Sequence, residues 1–312
     1  FFELMAMRES EWSLRADEDF GSAIGLWLAS FFKAESTGLA MPEYFGENHA
    51  DAMTYATTAG PEYLHQSLAR AIKDKNAYVA LESVEGLVAT AGEKSLMYRI
   101  GVNQPLVQAL TFNDKAVKYS AAIAIASASP SQSFPEISLV IENLIEALRE
   151  PMQPVQDEQN IGLWDANMAD SYAIRAAKVM LNLAQGGDTV IGLDKAIPTL
   201  IEASEKGQAE IQVLSAKVLA RLNNPDAQRA IPDMGLNENK SMMLRISAFN
   251  SLSVSAKQQA NLLDDERIDM IYELISSDTV DPELRAAAAK AYGTLNLPSE
   301  KVQKLILDQA KI

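Results

Sequence analysis

Two histidines, forty-two carboxylates and no cysteine set the chemistry available to this 312-residue chain. Without cysteine there is no disulfide, thiolate nucleophile or sulfur-ligated zinc. His49 lies in the acidic stretch Glu47-Asn-His-Ala-Asp51, where three side chains could in principle hold a divalent ion. No second histidine or cysteine stands at ligand spacing, so no metal is expected. His65 falls in a helical pattern, with solvent or a neighbouring helix end as its expected partner. The run AQGGDTVIG around Gly186 and Gly187 lacks the glycine spacing and the lysine-serine pair of a phosphate loop. It reads as a helix end followed by a tight turn. No GxSxG elbow is present, and neither histidine has a triad signature. The acidic clusters Asp157-Glu158 and Asp264-Asp265-Glu266 single out no catalytic pair, and the latter reads as a helix start, where negative charge is favourable. The residues thus predict no catalytic side chain, no metal and no cofactor.

Composition narrows the partners. The formal net charge of −15 opposes nucleic acid and anionic lipid surfaces. It favours a protein partner with a basic or neutral contact surface. No apolar run is long enough to span a bilayer, so no membrane insertion is expected. The chain begins at Phe1, which suggests a processed form from which a signal or anchor can have been removed. Bacterial cytoplasm and periplasm or envelope both fit. With 48% hydrophobic and only 7% aromatic residues, rich in Ala and Leu, the chain favours buried helices over sheets.

The elements that would position any functional residue come from a repeat. Six segments share a bulky anchor, small residues at +4 and +5, and a bulky residue at +8. They begin at Val79, Val117, Tyr172, Ile211, Leu244 and Leu284. Offsets of +4 and +8 share one helical face, with +5 beside them. Each segment reads as the second (B) helix of a pair, and its small residues let neighbouring helices approach closely. The expected pairs are 61–72 with 77–90, 104–110 with 116–127, 135–149 with 170–184, 193–205 with 210–222, 226–234 with 240–254, and 266–277 with 282–295. A last helix over 299–310 would cap the open end. The polar +1 residues Lys118, Gln212, Arg245 and Arg285 are expected to bridge to a preceding acid or loop carbonyl. Asp114–Lys118 and Asp281–Arg285 stand at favourable i,i+4 spacing.

The stretches VKYSAAIAI, LRISAFNSL and LRAAAAKAY, with the helices before them, resemble HEAT repeats, most closely the short bacterial HEAT-like repeats of the phycobilisome-lyase type. The resemblance covers roughly 62–312. It implies an all-α, right-handed alpha-alpha superhelix of the HEAT/armadillo-like kind and a protein-interaction scaffold. An accessory protein assisting cofactor attachment to a partner is the second implied role. A DNA glycosylase, the third, is opposed by the charge. The resemblance brings no catalytic residues.

Two regions depart from the repeat. Residues 1–60 hold ten of the twenty-one aromatics and read as an N-terminal helical cap with a long connection. Within them only 22–33 shows clear helical patterning; 1–20 shows little. The second departure is an acidic insertion at about 150–169, carrying Trp164 within the 61–312 array. Partner binding is expected on the concave face of the B helices, helped by this insertion, with Glu82, Tyr119, Trp164 and Arg175 as candidate contacts.

Overall fold

The computed structural model describes residues 1–17, 20–38, 45–153 and 163–298, together with Gln303 and Leu307. Among these residues every regular element is helical, and extended pairing is confined to one isolated bridge, Ile100–Asn103. The expected helix over 299–310 lies almost wholly outside the described residues.

Sixteen α-helices are described: α1 Phe2–Ala16, α2 Ser22–Ser36, α3 Ala52–Ala59, α4 Pro61–Asp74, α5 Ala77–Thr90, α6 Glu93–Leu96, α7 Pro105–Ala109, α8 Lys115–Ser127, α9 Ile137–Arg149, α10 Ala169–Gly186, α11 Ile197–Lys206, α12 Ala209–Leu219, α13 Pro225–Leu236, α14 Met242–Gln259, α15 Asp265–Ser276 and α16 Pro282–Thr294. The described chain forms two compact units that divide within α9. The first holds residues 1–144 with 163–168, the second 145–153 with 169–298.

All six expected B helices are present. In four of them the residue three before the anchor caps the helix by accepting the anchor's own N–H. These caps are Asn76 to Val79, Asp114 to Val117, Ser241 to Leu244 and Asp281 to Leu284. Such a cap satisfies an N–H that the helix cannot. Prolines stand in the first turns of α4, α7, α13 and α16, where no N–H is needed.

The anchors, the +4 residues and the +8 residues are buried in every repeat. In the second unit the helices pair as α11 with α12, α13 with α14 and α15 with α16. Like helices then stack, α11 on α13 on α15 in one layer and α10 on α12 on α14 on α16 in the other. In the first unit α4 pairs with α5 and α7 with α8, while α4 stacks on α7 and α5 on α8. Ala121, Ala177 and Ala288 are fully buried, as the close-approach reading requires.

The small +5 position is broken by Val84 in α5 and by the larger Phe249 in α14. Gly235 on the paired α13 makes the room: a Cβ there would fall 2.9 Å from the Phe249 ring. Two other expectations are refined. Gln212, Arg245 and Arg285 each donate to a carbonyl at the end of the A helix of their own pair, those of Gly207, Gly235 and Ser277. They satisfy orphan C-terminal carbonyls, and Gln212 Oε1 also accepts from Lys240 of the next pair, a link between neighbouring repeats. Asp114 and Asp281 each cap their helix through Oδ1, and Arg285 pairs with Asp278.

Residues 1–60 share the core of the first unit. α2 packs on α4 and α5, and α3 packs on the same two helices. Phe31 and Phe32 are fully buried, so the aromatic segment does plug the first helix pair. α1 is a helix that the sequence reading left unassigned. Its buried side carries Met7 and Ser10, while Phe1, Phe2, Met5 and Trp12 remain exposed.

Candidate functional site

The four candidate contacts divide between the units, three in the first and Arg175 in the second. In the first unit α5 presents Tyr78, Glu82 and Glu85 at i, i+4 and i+7, one face of the helix. The end of α2 brings Glu35 towards this face, and the N-cap of α3 brings Asp51. Glu35 Oε1 accepts the Ala52 N–H at 2.9 Å, and Asp51 Oδ1 accepts that of Thr54 at 2.7 Å, so two carboxylates meet one helix start. From the neighbouring α8, Ser120 donates its hydroxyl to Glu85 Oε1 at 2.9 Å.

Glu35, Glu82 and Glu85 sit partly out of water, with the exposed Asp51 carboxylate beside them, and the like charges repel. Burial pushes the Glu82 carboxyl above the usual glutamate range, and Glu35, Glu85 and Asp51 push it further. Burial also raises Glu35; the Ala52 N–H pulls back and Asp51 pushes again. The Tyr78 phenol rises for the same reasons, burial first and then Glu82 and Glu35. Among the described residues no Lys or Arg forms an ion pair with Glu35 or Glu82. The result is a half-buried negative patch that favours a cation arriving from outside.

Aromatic rings border it. Trp27 meets Tyr55 and Phe31 edge-on at 5.4 and 5.2 Å, and His49 stacks on Phe45 at 4.4 Å. His49 thus belongs to a ring cluster, and its Nδ1 lies 2.8 Å from the Ala50 carbonyl. Among the described residues no three His, Asp or Glu side chains are arranged to hold a metal ion.

Tyr119 is placed differently from the surface contact expected of it. It is 1% exposed, because Trp164 from the insertion covers it edge-on at 5.4 Å. The Lys115 ammonium lies 5.7 Å from the centre of the Trp164 ring. The 4%-exposed Asp114 adds a backbone tie: its Oδ2 accepts the Leu163 N–H at 2.5 Å, while Oδ1 caps α8. Trp164 therefore pins its segment to α8, and residues 154–162 of the insertion lie outside the described residues. Arg175, on α10, lays its guanidinium over the Tyr172 ring at 5.0 Å.

His65 is wholly buried rather than solvent-facing. Its Nε2 donates to the Ser95 carbonyl at 2.8 Å, at the end of α6, so it caps a neighbouring helix. Burial lowers its pKa, which keeps the ring neutral. Gly187, at φ +68°, makes the tight turn expected after α10, and Asp188 then accepts the N–H groups of Val190 and Ile191.

No family model matches the chain, and no curated protein matches it either. Function has to be argued from the patch and the helices that hold it. Sequence reasoning found Glu82, missed Glu35 and Glu85, and weighed Asp51 only as a metal ligand. Glu85 was legible, because it shares a helical face with Glu82. Glu35 and Asp51 reach the patch only through the packing of α2 and α3.

Proposed function

We propose that this chain is a non-catalytic adaptor of stacked HEAT-like helix pairs that binds a basic protein, with the Glu35–Glu82–Glu85 patch as the primary contact. The observation that carries the reading is the half-buried, mutually repelling carboxylate set on α2 and α5. Ionised carboxylates kept partly from water are stabilised when a partner's Lys or Arg supplies the missing charge. The net charge of −15 acts in the same direction at long range, steering a basic surface inward. Bordering Trp27 and Tyr55 add rings of the kind that anchor interfaces and receive cations. The histidines fit a non-catalytic reading, since His65 is spent on a backbone carbonyl and His49 on ring packing.

The test is capture from native extract by the intact chain and by Glu82→Lys, with melting curves as the folding control. A specific partner retained by the parent, released by salt and lost with Glu82→Lys at a melting temperature no lower than the parent's supports the reading. The same partner retained equally by both overturns it. Arg175→Glu combined with deletion of 152–166 tests whether the second unit and the insertion take part.

A further inference from the structure

The first unit holds a cavity of about 650 Å³ where α1, α2 and α4 meet the segment 98–101. It lies within the range of small-molecule sites, which run about 300–1,000 Å³. Small side chains leave the space: Ser10 and Ser13 on α1, Ala23 on α2 and Ala69 on α4. The helices themselves are in tight contact beside it. A Cβ at Gly25 would fall 2.5 Å from the Gln66 Cβ, so α2 and α4 cannot close further to fill the gap.

The fourth wall is preorganised. Ile100 and Asn103 exchange both backbone hydrogen bonds, at 2.9 and 3.1 Å, around Gly101 at φ +61°. Gln104 Nε2 donates to the Met97 carbonyl, and the Tyr98 hydroxyl donates to Glu62. A short segment held at this many points keeps Arg99 and Ile100 in place without a ligand, which lowers the ordering cost of binding.

The lining states what would bind. Phe20, Leu26 and Ile100 offer apolar surface, with Phe20 48% and Leu26 39% exposed. The Ser10 and Ser13 hydroxyl protons are spent on the Ala6 and Glu9 carbonyls of their own helix. The charged donors are guanidinium groups. Arg70 uses its Nε on Asp74 at 2.6 Å, and among the described residues Arg99 makes no hydrogen bond or ion pair. The lining sets two guanidinium groups against the single carboxylate of Glu9, and Asp74 engages only the Arg70 Nε from outside it.

We propose that this cavity is a binding site for a small amphiphilic monocarboxylate, its apolar body along Phe20, Leu26 and Ile100 and its carboxylate on Arg99 and Arg70. A guanidinium fork matches a carboxylate in two parallel hydrogen bonds, and the apolar walls take the body that water rejects. This site is separate in chemistry from the acidic patch, which selects the opposite charge.

Calorimetric titration of the intact protein with decanoate tests it, with decanol and decyltrimethylammonium as neutral and cationic probes of the same tail. The expected result is one saturable decanoate site, binding at least tenfold tighter than either control. Arg99→Gln, on an exposed segment, should weaken decanoate by about tenfold or more and leave decanol unchanged. Ala69→Phe, which fills the cavity, should abolish binding of both. Absence of saturable decanoate binding, equal affinity for decanol, or binding that survives both variants in folded protein would each overturn the assignment.

Discussion

Glu82 carries a pH dependence that can be worked out from its surroundings. Its carboxyl is raised first by burial and then by Glu35, Glu85 and Asp51. A raised carboxyl takes up a proton more readily folded than unfolded. Its contribution to stability is therefore complete below the unfolded pKa and lost as pH rises through the folded one. At neutral pH the ionised side chain strains the fold, so Glu82→Gln should raise the melting temperature at pH 7.5. That advantage should vanish by pH 4; melts at the two values check it. Asp114 acts in the opposite sense, serving α8 and Leu163 with one carboxylate. Asp114→Ala should cost about 2 kcal/mol, the scale of a lost cap plus a buried N–H left unpaired, read by urea unfolding of the first unit. The residue scale is also where the sequence was least legible. Tyr119 stands at the +2 position, and the residues there in the other repeats, such as Ile174, Val213 and Ile246, are only partly covered. Only the arrival of Trp164, forty-five positions downstream, seals it, and no local pattern encodes that contact.

Helices from α4 onward, α6 excepted, could be read directly because most repeats write their own boundaries. Caps at Asn76, Asp114, Ser241 and Asp281 precede the anchor by three residues, and small residues follow it at fixed offsets. α1 could not be read in this way. Its buried residues follow the helical spacing of Met7 and Ser10, but exposed Phe1, Phe2, Met5 and Trp12 on the other side blur the contrast between faces. The small residues give the element-scale test. Ala177→Leu should cost about 1–3 kcal/mol by overpacking the fully buried contact of α10. Ala289→Leu, at a half-covered +5 position in α16, should cost markedly less. Chemical denaturation of the two variants separates them. If both cost the same, the +5 position is not a close-approach site. Removing a carbonyl-capping donor gives a smaller effect, about 1 kcal/mol for Arg245→Ala, read in the same way.

At the scale of the whole molecule, the charge of −15 makes association with a basic partner sensitive to ionic strength. The rate of association should fall steeply as salt is raised from low to physiological levels, where the screening length is about 8 Å. Dissociation should change much less; surface plasmon resonance at several salt concentrations resolves the two. A rate indifferent to salt would mean that the acidic balance serves solubility alone. Among the described residues no helix is long and apolar enough to cross a membrane.

The stacking order of the second unit has a consequence in time. α10, α12, α14 and α16 meet in chain order, and their anchors at Tyr172, Ile211, Leu244 and Leu284 stand 39, 33 and 40 residues apart. A chain leaving the ribosome at about 5–20 residues per second completes the next helix pair only after about 2–8 seconds. A helix forms within about a microsecond. Each newly docked pair therefore waits, for an interval about a million times longer than its own formation, with its forward apolar face uncovered. Assembly in this unit is vectorial, paced by translation, and the nascent chain's vulnerable surface is always that of its most recent repeat.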